Sequence, residues 1–525
     1  MLSVPRHAPT PHTSIILSPM DYLDKRYAKF YKVVDQITDE LQAMVWPDTG
    51  KVRRRSKGEE LVKLKLSVGK LIRDSLSIRH SKKRYPFASI RLRSSWYSTS
   101  RHSGSLTYRI HVERAFRGMC ILGYIKIEQK GGLFSNTGGF LTRYSAISPL
   151  LKLFDEVELQ VLPVIIPQDT EGETVLVKVT ESQSIKGNIV ETKVFKDYQD
   201  TPQTSQMRAN LKIINHALSK HWYDLNLDDD EFDKMQSQLL SKEQKASGVD
   251  RQINLSKRSL YRLFNDEALT TGGRFYGGWW QEIPKRYREN LVINGKPMAE
   301  LDYSGLHPAI LYLELGLVPP NDPYEGIFPK ENLGYSPSPK DFRSCVKVSL
   351  NAMLNAKQPM KRPPRGFRRA NANCSWRALS EAITERHAAI KHLFYTNQGL
   401  RLQRLDSNIA EYVLLHFAKM KVAVLPLHDS FLVHSGYLTE LREVMVEAFN
   451  AIINPNYSAK LKPPSKWKPK TTEEWEAFLA IEANRFDDEP TTSDIYELLN
   501  KLDVGHERRL DAFRELLANN AHNVR

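Results

Sequence analysis

The sequence predicts an α+β fold with an antiparallel sheet at its centre, and three observations carry that expectation. Leu291-Val292-Ile293 and Pro297-Met298-Ala299 flank Asn294-Gly295, the dipeptide best suited to a two-residue hairpin turn because both central residues take positive φ. A second pair of apolar runs, on either side of His428-Asp429, reads as another hairpin whose tight turn exposes that pair. Around them lie stretches with apolar residues at helical intervals, at about 340–356, 402–420 and 438–453.

At 525 residues the chain is long enough for roughly two to four domains of ~100–200 residues each. Its net charge of +15 is uneven: residues 51–120 hold 19 Lys/Arg against 4 Asp/Glu, which accounts for the whole excess. Cys120, Cys345 and Cys374 are too few and too scattered for a disulfide framework or a zinc cluster, so a reducing, cytoplasmic setting is expected. No apolar run approaches the ~18 residues of a membrane helix. Met1 to Met20, with Pro5, Pro9 and Pro11, lacks the pattern of a signal peptide, so neither secretion nor a membrane partner is expected.

Taken in order, residues 21–45 set Tyr22, Tyr27, Phe30, Val33, Ile37, Leu41 and Met44 near one helical face. The basic block follows with Lys51, Arg53, Arg54, Arg55 and Lys57 and a helical stretch from Leu61 to Leu76. It then interleaves charges and aromatics: Arg84, Tyr85, Phe87, Arg91, Arg93, Trp96, Tyr97 and Arg101. Arginine with exposed aromatics suits nucleic acid, through phosphate contacts and base stacking; the alternative is a solvated surface whose aromatics are core. From Leu106 to Val179 the pattern is of strands: Leu106, Tyr108, Ile110 and Val112 alternate, and Ile121–Ile127, Val157–Ile166 and Val175–Val179 follow. Residues 180–204 are polar and expected to be a linker; helical spacing returns at Met207–Leu225, and Asp228–Glu231 is an acidic turn.

Thr271-Gly272-Gly273-Arg274 and the aromatic stretch to Gln281 lead into the first hairpin, which delivers Asp302 to a strand end. After it Ser304 can cap, and Pro308 can sit in the first turn of, a helix carrying Ile310, Leu311 and Leu315. A carboxylate at such a junction suits metal or phosphate chemistry and equally an ordinary helix cap. Pro319, Pro320 and Pro323 mark a loop. On the next helix, about Lys340 to Ala356, Arg343, Lys347, Asn351 and Asn355 recur every fourth residue, with no acidic residue one turn on to take up the two cations. Residues 357–375 are a basic, proline-rich excursion; Leu379–Tyr395, Leu402–Met420 and Leu438–Ile453 are helical, and a lysine-rich tail runs from Ser458.

Two turn-borne aspartates and a cationic helix are an inventory for phosphoryl transfer on a nucleotide. Carboxylates brought together repel unless divalent cations bridge them, and a metal pair ~3.5–4 Å apart stabilises both the attacking and the leaving oxygen. Helix cations would hold the triphosphate.

Over residues 255–455 these segments resemble, in order, the palm and fingers of family A DNA polymerases and the related phage-type single-subunit RNA polymerases. Leu301-Asp302-Tyr303-Ser304 is similar to the first palm motif, Arg343 with Lys347 to the start of the fingers helix, and Leu427-His428-Asp429-Ser430-Phe431 to the second palm motif. Thr271–Arg274 with Gln281 is similar to the primer–template segment, and Gln403–Glu411 to the helix before the second palm motif. The resemblance implies a right-hand polymerase, with an antiparallel palm sheet and helical fingers, behind a basic α/β N-terminal region. It implies catalytic Asp302 and Asp429 holding two Mg²⁺ (or Mn²⁺) with the Tyr303 carbonyl, and a nucleoside triphosphate on Arg343, Lys347, His307, Asn351 and Asn355. A DNA primer and template, or RNA, would lie on Arg274, Gln281, Gln403 and His428, in a bacterial or phage-infected cell.

Departures from the family pattern bear on the choice of sugar. His307 stands where the DNA polymerases carry the glutamate that screens the 2′-hydroxyl, and Asn351 and Asn355 replace an apolar or aromatic residue and a tyrosine. Ser430 after Asp429 is closer to the RNA polymerase form, and an extra glycine interrupts Thr-Gly-Arg. The expected organisation is an N-terminal helical segment (1–50), a basic β-rich nucleic-acid-binding region (51–180), a linker and thumb-like helical segment (181–254), the palm and fingers (255–455), and a basic linker with a helical tail (456–525). A template-directed DNA polymerase heads the functional expectations, with an RNA polymerase or primase next. A non-catalytic replication initiator or accessory factor is the alternative from another class. A two-metal nuclease would use the same aspartates and leave the Arg343/Lys347 helix without a role.

Overall fold

A computed structural model describes residues 28–462, apart from 78–87, 91, 93–108, 135–137, 141, 155–172, 186–187, 228–230, 232–233, 236–238, 240–256 and 295. Among the described residues the fold is mixed α/β with antiparallel sheets, one parallel strand pair excepted. Among the described residues no helix is long and apolar enough to cross a membrane. Val157–Ile166, Asp228–Asp230, the tail past Lys462, and Arg84, Tyr85, Phe87, Arg91, Arg93, Trp96, Tyr97 and Arg101 lie outside the described residues.

Helical apolar spacing builds the N-terminal unit. Helix α1 (Ala28–Ala43) buries Phe30, Val34, Ile37 and Leu41, α2 (Gly58–Ser77) buries Leu64, Val68, Leu71 and Ile72, and α3 (Arg109–Ile121) buries Val112, Ala115, Phe116 and Met119. Strands β1 (Val45–Trp46) and β2 (Lys51–Val52) pair after α1; β3 (Ala88–Ile90), β4 (Ile125–Gln129) and β7 (Thr142–Ala146) form a sheet of order β3-β7-β4, with β5 (Gly132–Phe134) and β6 (Gly138–Phe140) a separate pair. Ile110 and Val112, expected in a strand, lie in α3: the burial set repeats at three and four residues over a longer span than the local alternation, and the longer period wins. Part of the basic block is matched internally, by Lys65–Asp35 at 2.7 Å, Lys63–Glu59 at 2.9 Å and Arg53–Asp48 at 3.0 Å.

The polar stretch expected as a linker is instead a hairpin, β8 (Val175–Ile185) with β9 (Asn188–Lys196), which joins β11 (Tyr261–Phe264) and β12 (Gly272–Tyr276) in the order β12-β11-β8-β9. After the short α4 (Ser148–Leu151), helix α5 runs Pro202–Ser219; Thr201 and Thr204 form a reciprocal capping box and Pro202 opens the first turn. The helix expected to reach Leu225 stops there, because Tyr223–Leu225 is β10, buried on every residue in the central sheet.

That sheet has the order β10-β13-β14-β16-β15, from β13 (Leu291–Ile293), β14 (Lys296–Tyr303), β15 (Val424–Leu427) and β16 (Ser430–His434), with β17 (Leu461–Lys462) on the end of β14. Both expected hairpins are present. Ile293 pairs with Lys296 around Asn294 at φ 50°, and Leu427 pairs with Ser430 around His428 at φ 67°. β15 is an edge strand, which is where Pro426 is tolerated. Helices α6 (Leu306–Glu314), α7 (Pro339–Asn355), α8 (Arg369–Ala372), α9 (Trp376–Arg386), α10 (Gln398–Lys419) and α11 (Leu438–Ile452) share one hydrophobic core with this sheet. That core runs from Val175 to Ala459, so the boundaries drawn at 255 and 455 fall inside it.

Candidate active site

Asp302 lies one residue from the end of β14, opposite Ser430 on β16 and Lys462 on β17. Asp429 occupies the β15–β16 turn, and its carbonyl accepts from the Tyr303 amide at 3.4 Å. Burial, and then the charge of Asp429, push the Asp302 carboxyl above the ordinary carboxylate value, against the pull of Lys462 and Lys347. Asp302 Oδ1 is buried without a hydrogen-bond donor. Tyr303 sends its ring into the core and its hydroxyl to the Met445 carbonyl at 2.5 Å, so it serves the site through its backbone carbonyl, which accepts from Lys462 Nζ at 3.0 Å. Among the described residues no group of three or more His, Cys, Asp or Glu could hold a metal. Two carboxylates and a carbonyl are nevertheless hard oxygen donors of the kind Mg²⁺ takes while keeping several waters, and the partnerless Oδ1 beside a second carboxylate fits such an ion.

Helix α7 starts where the sequence places it: Ser338 caps the Asp341 amide at 3.1 Å, Pro339 opens the first turn, and Cys345, Val346, Ser349, Leu350, Met353 and Leu354 form the buried stripe. Its cations are not equivalent. Arg343 donates to Asp322 at 2.9 and 2.7 Å and stacks 4.9 Å from the Tyr324 ring centre, so the missing acidic partner comes from the preceding loop. Lys347 is exposed, 6.0 Å from the same ring. Tyr324 is buried; burial pushes its hydroxyl up to about 12, Arg343 opposes this, and Asp429, Asp322 and Asp302 add to it. Nothing in the sequence singled out Tyr324 or Asp322. Asn355 donates to the Asn351 carbonyl at 2.6 Å, and its side chain lies against Gly399, where a Cβ would have no room.

His307 sits in the first turn of α6. Gly305, at φ 62°, rather than Ser304 is the cap residue, its carbonyl accepting from the Ala309 amide at 3.0 Å, while the Ser304 amide donates to the Lys460 carbonyl at 2.8 Å. His307 Nε2 is 2.9 Å from Asp406 Oδ2, and Arg274 Nε is 3.1 Å from both oxygens of the same carboxylate. Burial alone would raise the Asp406 carboxyl; His307 and Arg274 outweigh it and hold the group below its ordinary value. The extra glycine in Thr-Gly-Gly-Arg has a structural reason. Leu263 pairs with Arg274 and Phe264 with Gly272, leaving Gly273 as the unpaired residue of a β-bulge at φ 80°. A Cβ there would lie 2.6 Å from Phe264 and 3.1 Å from Ser407, so the glycine lets β12 pack directly on α10. Arg262 reinforces this seam, donating to the Gly273 carbonyl at 2.8 Å, Glu411 at 2.7 Å and Ser407 at 2.9 Å.

The expected primer–template residues divide. Gln281 donates to the Phe275 and Pro426 carbonyls at 2.9 and 3.1 Å, and with Trp280 it covers the edge of β15. Arg274 is committed to Asp406, and Gln403 is half-buried on α10 one turn before it. His428 keeps a buried Nδ1 without a partner beside Tyr276; burial, then Arg274, lower its pKa, so the ring is neutral at pH 7. Glu300, two residues before Asp302 on the same face of β14, accepts from Ser430 at 2.9 Å and Arg288 at 3.2 Å. No protein-family model and no curated protein matches this chain.

Proposed function

We propose that the protein is a template-directed nucleotidyltransferase, a DNA polymerase with a right-hand palm and helical fingers. The observation that carries this is the juxtaposition of Asp302 and Asp429 on adjoining strand ends beside the Tyr303 carbonyl, with Lys347 near enough to act on Asp302. Asp302, Asp429 and the Tyr303 carbonyl would hold divalent cations, which when bound would supply Lewis-acid chemistry for attack of a primer 3′-hydroxyl on the α-phosphate. Asp302, Asp429 and the Tyr303 carbonyl fix where the reacting oxygens sit. Lys347 and Arg343 meet the charge of the triphosphate, Arg343 sharing its guanidinium with Asp322. His307, held by Asp406, crowds the sugar 2′ position, neutral His428 stands at the primer end, and the basic N-terminal residues hold template or duplex.

The test is Mg²⁺-dependent incorporation of labelled nucleotide on a primed template. Asp302→Ala and Asp429→Ala are each expected to lower it on the order of 10³-fold or more while DNA binding persists; full-rate extension by either variant overturns the proposal. Parallel reactions with dNTPs and NTPs, on primed and unprimed DNA and RNA, separate a DNA polymerase from an RNA polymerase or primase. A second reading, a non-catalytic replication factor that keeps a polymerase-like core, draws on one observation: the Lys462 ammonium already occupies the Asp302 carboxylate and the Tyr303 carbonyl. Absence of incorporation on every template, with DNA binding retained and no release of nucleotides, would favour it.

A further inference from the structure

We infer that Lys462 is a tethered counter-cation that competes with a divalent metal for Asp302 and the Tyr303 carbonyl, so that β17 sets the metal affinity of the site. This rests on the assignment of Asp302 as a metal ligand. Lys462 faces Asp302 because the backbone puts it there. Asp302 pairs with Lys462 and Tyr303 with Leu461, and the Ser304 amide donates to the Lys460 carbonyl at 2.8 Å. Directly opposed antiparallel residues share a face with Cβ atoms about 4.5–5.5 Å apart. Lys460 anchors the strand further by donating to Asn321 Oδ1 at 2.5 Å.

The ammonium then gives two of its three protons to the oxygens a metal would need, Asp302 Oδ2 and the Tyr303 carbonyl, and leaves Oδ1 without a partner. Ammonium and metal cannot share those lone pairs, and two cations at contact distance repel strongly in a half-buried site. The Lys462 side chain is 35% exposed on a flexible four-carbon stem, so it can withdraw into solvent without unpairing β17. A lysine on a two-residue strand thus holds the Asp302 carboxylate when no metal is bound and lowers metal affinity at rest.

The experiment is a Mn²⁺ titration followed by electron paramagnetic resonance, on the full chain without nucleotide or DNA. Lys462→Met is expected to bind Mn²⁺ on the order of tenfold more tightly than wild type, and Lys462→Gln, which keeps a polar side chain on β17, to do the same. Lys460→Met removes the same charge two residues away and is expected to leave the affinity within about threefold, since its ammonium contacts Asn321 rather than Asp302. Asp302→Asn in the Lys462→Met background should abolish the gain. Unchanged affinity in both Lys462 variants, an equal gain in Lys460→Met, or no measurable Mn²⁺ binding by any of the proteins overturns the inference. Tighter Mn²⁺ binding without nucleotide incorporation by any form would leave it standing and overturn the polymerase proposal; incorporation by wild type with unchanged Mn²⁺ affinity would do the reverse.

Discussion

His307 is not a free imidazole at the mouth of a pocket but one arm of a triad in which buried Asp406 also binds Arg274. Removing the Asp406 charge leaves Arg274 without its partner, so Asp406→Asn is expected to destabilise the fold by about 3–5 kcal/mol. If His307 screens the sugar, His307→Gly should relax dNTP-over-NTP selectivity, and Asp406→Asn should relax it too, although the imidazole is still present. The ratio of kcat/KM for a matched dNTP and NTP reads both, and unchanged selectivity in His307→Gly would remove the role. The strand-end and turn positions of Asp302 and Asp429 are legible in the sequence because turn and cap residues surround them, whereas His307 stands out only through the resemblance to the first palm motif. Asp406 and Lys462 are not legible. Asp406 sits among Ser407, Asn408 and Glu411 on a polar strip that reads as a solvated face until β12 is packed against it, and Lys462 is one lysine in a lysine-rich tail.

The β15–β16 hairpin ends in a second, titratable feature. His434 Nδ1 accepts from the Gly436 amide at 3.1 Å, which requires that nitrogen to be unprotonated, and burial, then Lys296 and His221, lower the pKa to about 4. The unfolded chain takes up this proton near 6.5 and the folded chain only near 4. In between, the unfolded state holds more protons, so stability rises with pH from about 4 to 6.5, is fully present above that window, and is lost as pH falls through it. Allowing for solvent screening, the effect is on the order of 1–2 kcal/mol. His434→Asn keeps an acceptor for Gly436 without a titrating group, and chemical denaturation at a series of pH values should show a flatter profile than wild type. At this scale both hairpins were readable, since each is made by the two residues of its own turn. β10 and β17 were not: a two- or three-residue strand carries no period of its own and is defined by a distant partner, Leu291–Ile293 for one and Asp302–Tyr303 for the other. The strand expected through Ile110 and Val112 failed for the opposite reason, a few alternating residues outvoted by a longer helical stripe.

Among the described residues two hydrophobic cores meet at consecutive positions. The Trp222 side chain is buried with α1, α2 and α3, while Tyr223 begins β10 and packs with Trp279 and Trp280 in the core of the central sheet. The Arg258 guanidinium bridges them, 5.0 Å from the Trp222 ring and 4.3 Å from that of Tyr223. The Trp222 amide is tied to Asn294 in the first hairpin at 2.9 Å, so the N-terminal unit is fixed to the strand pair that carries Asp302. Truncating this indole removes a large side chain from the N-terminal core and leaves the other core intact. Trp222→Ala is therefore expected to cost about 3–5 kcal/mol, borne by the N-terminal unit. Calorimetry should then resolve a lower-temperature transition for the helical unit ahead of an unshifted transition for the sheet core, with Mg²⁺-dependent incorporation retained below the first transition. A single transition shifted as a whole would mean that the two cores fold as one cooperative block, and that the basic surface and the carboxylate site are energetically inseparable.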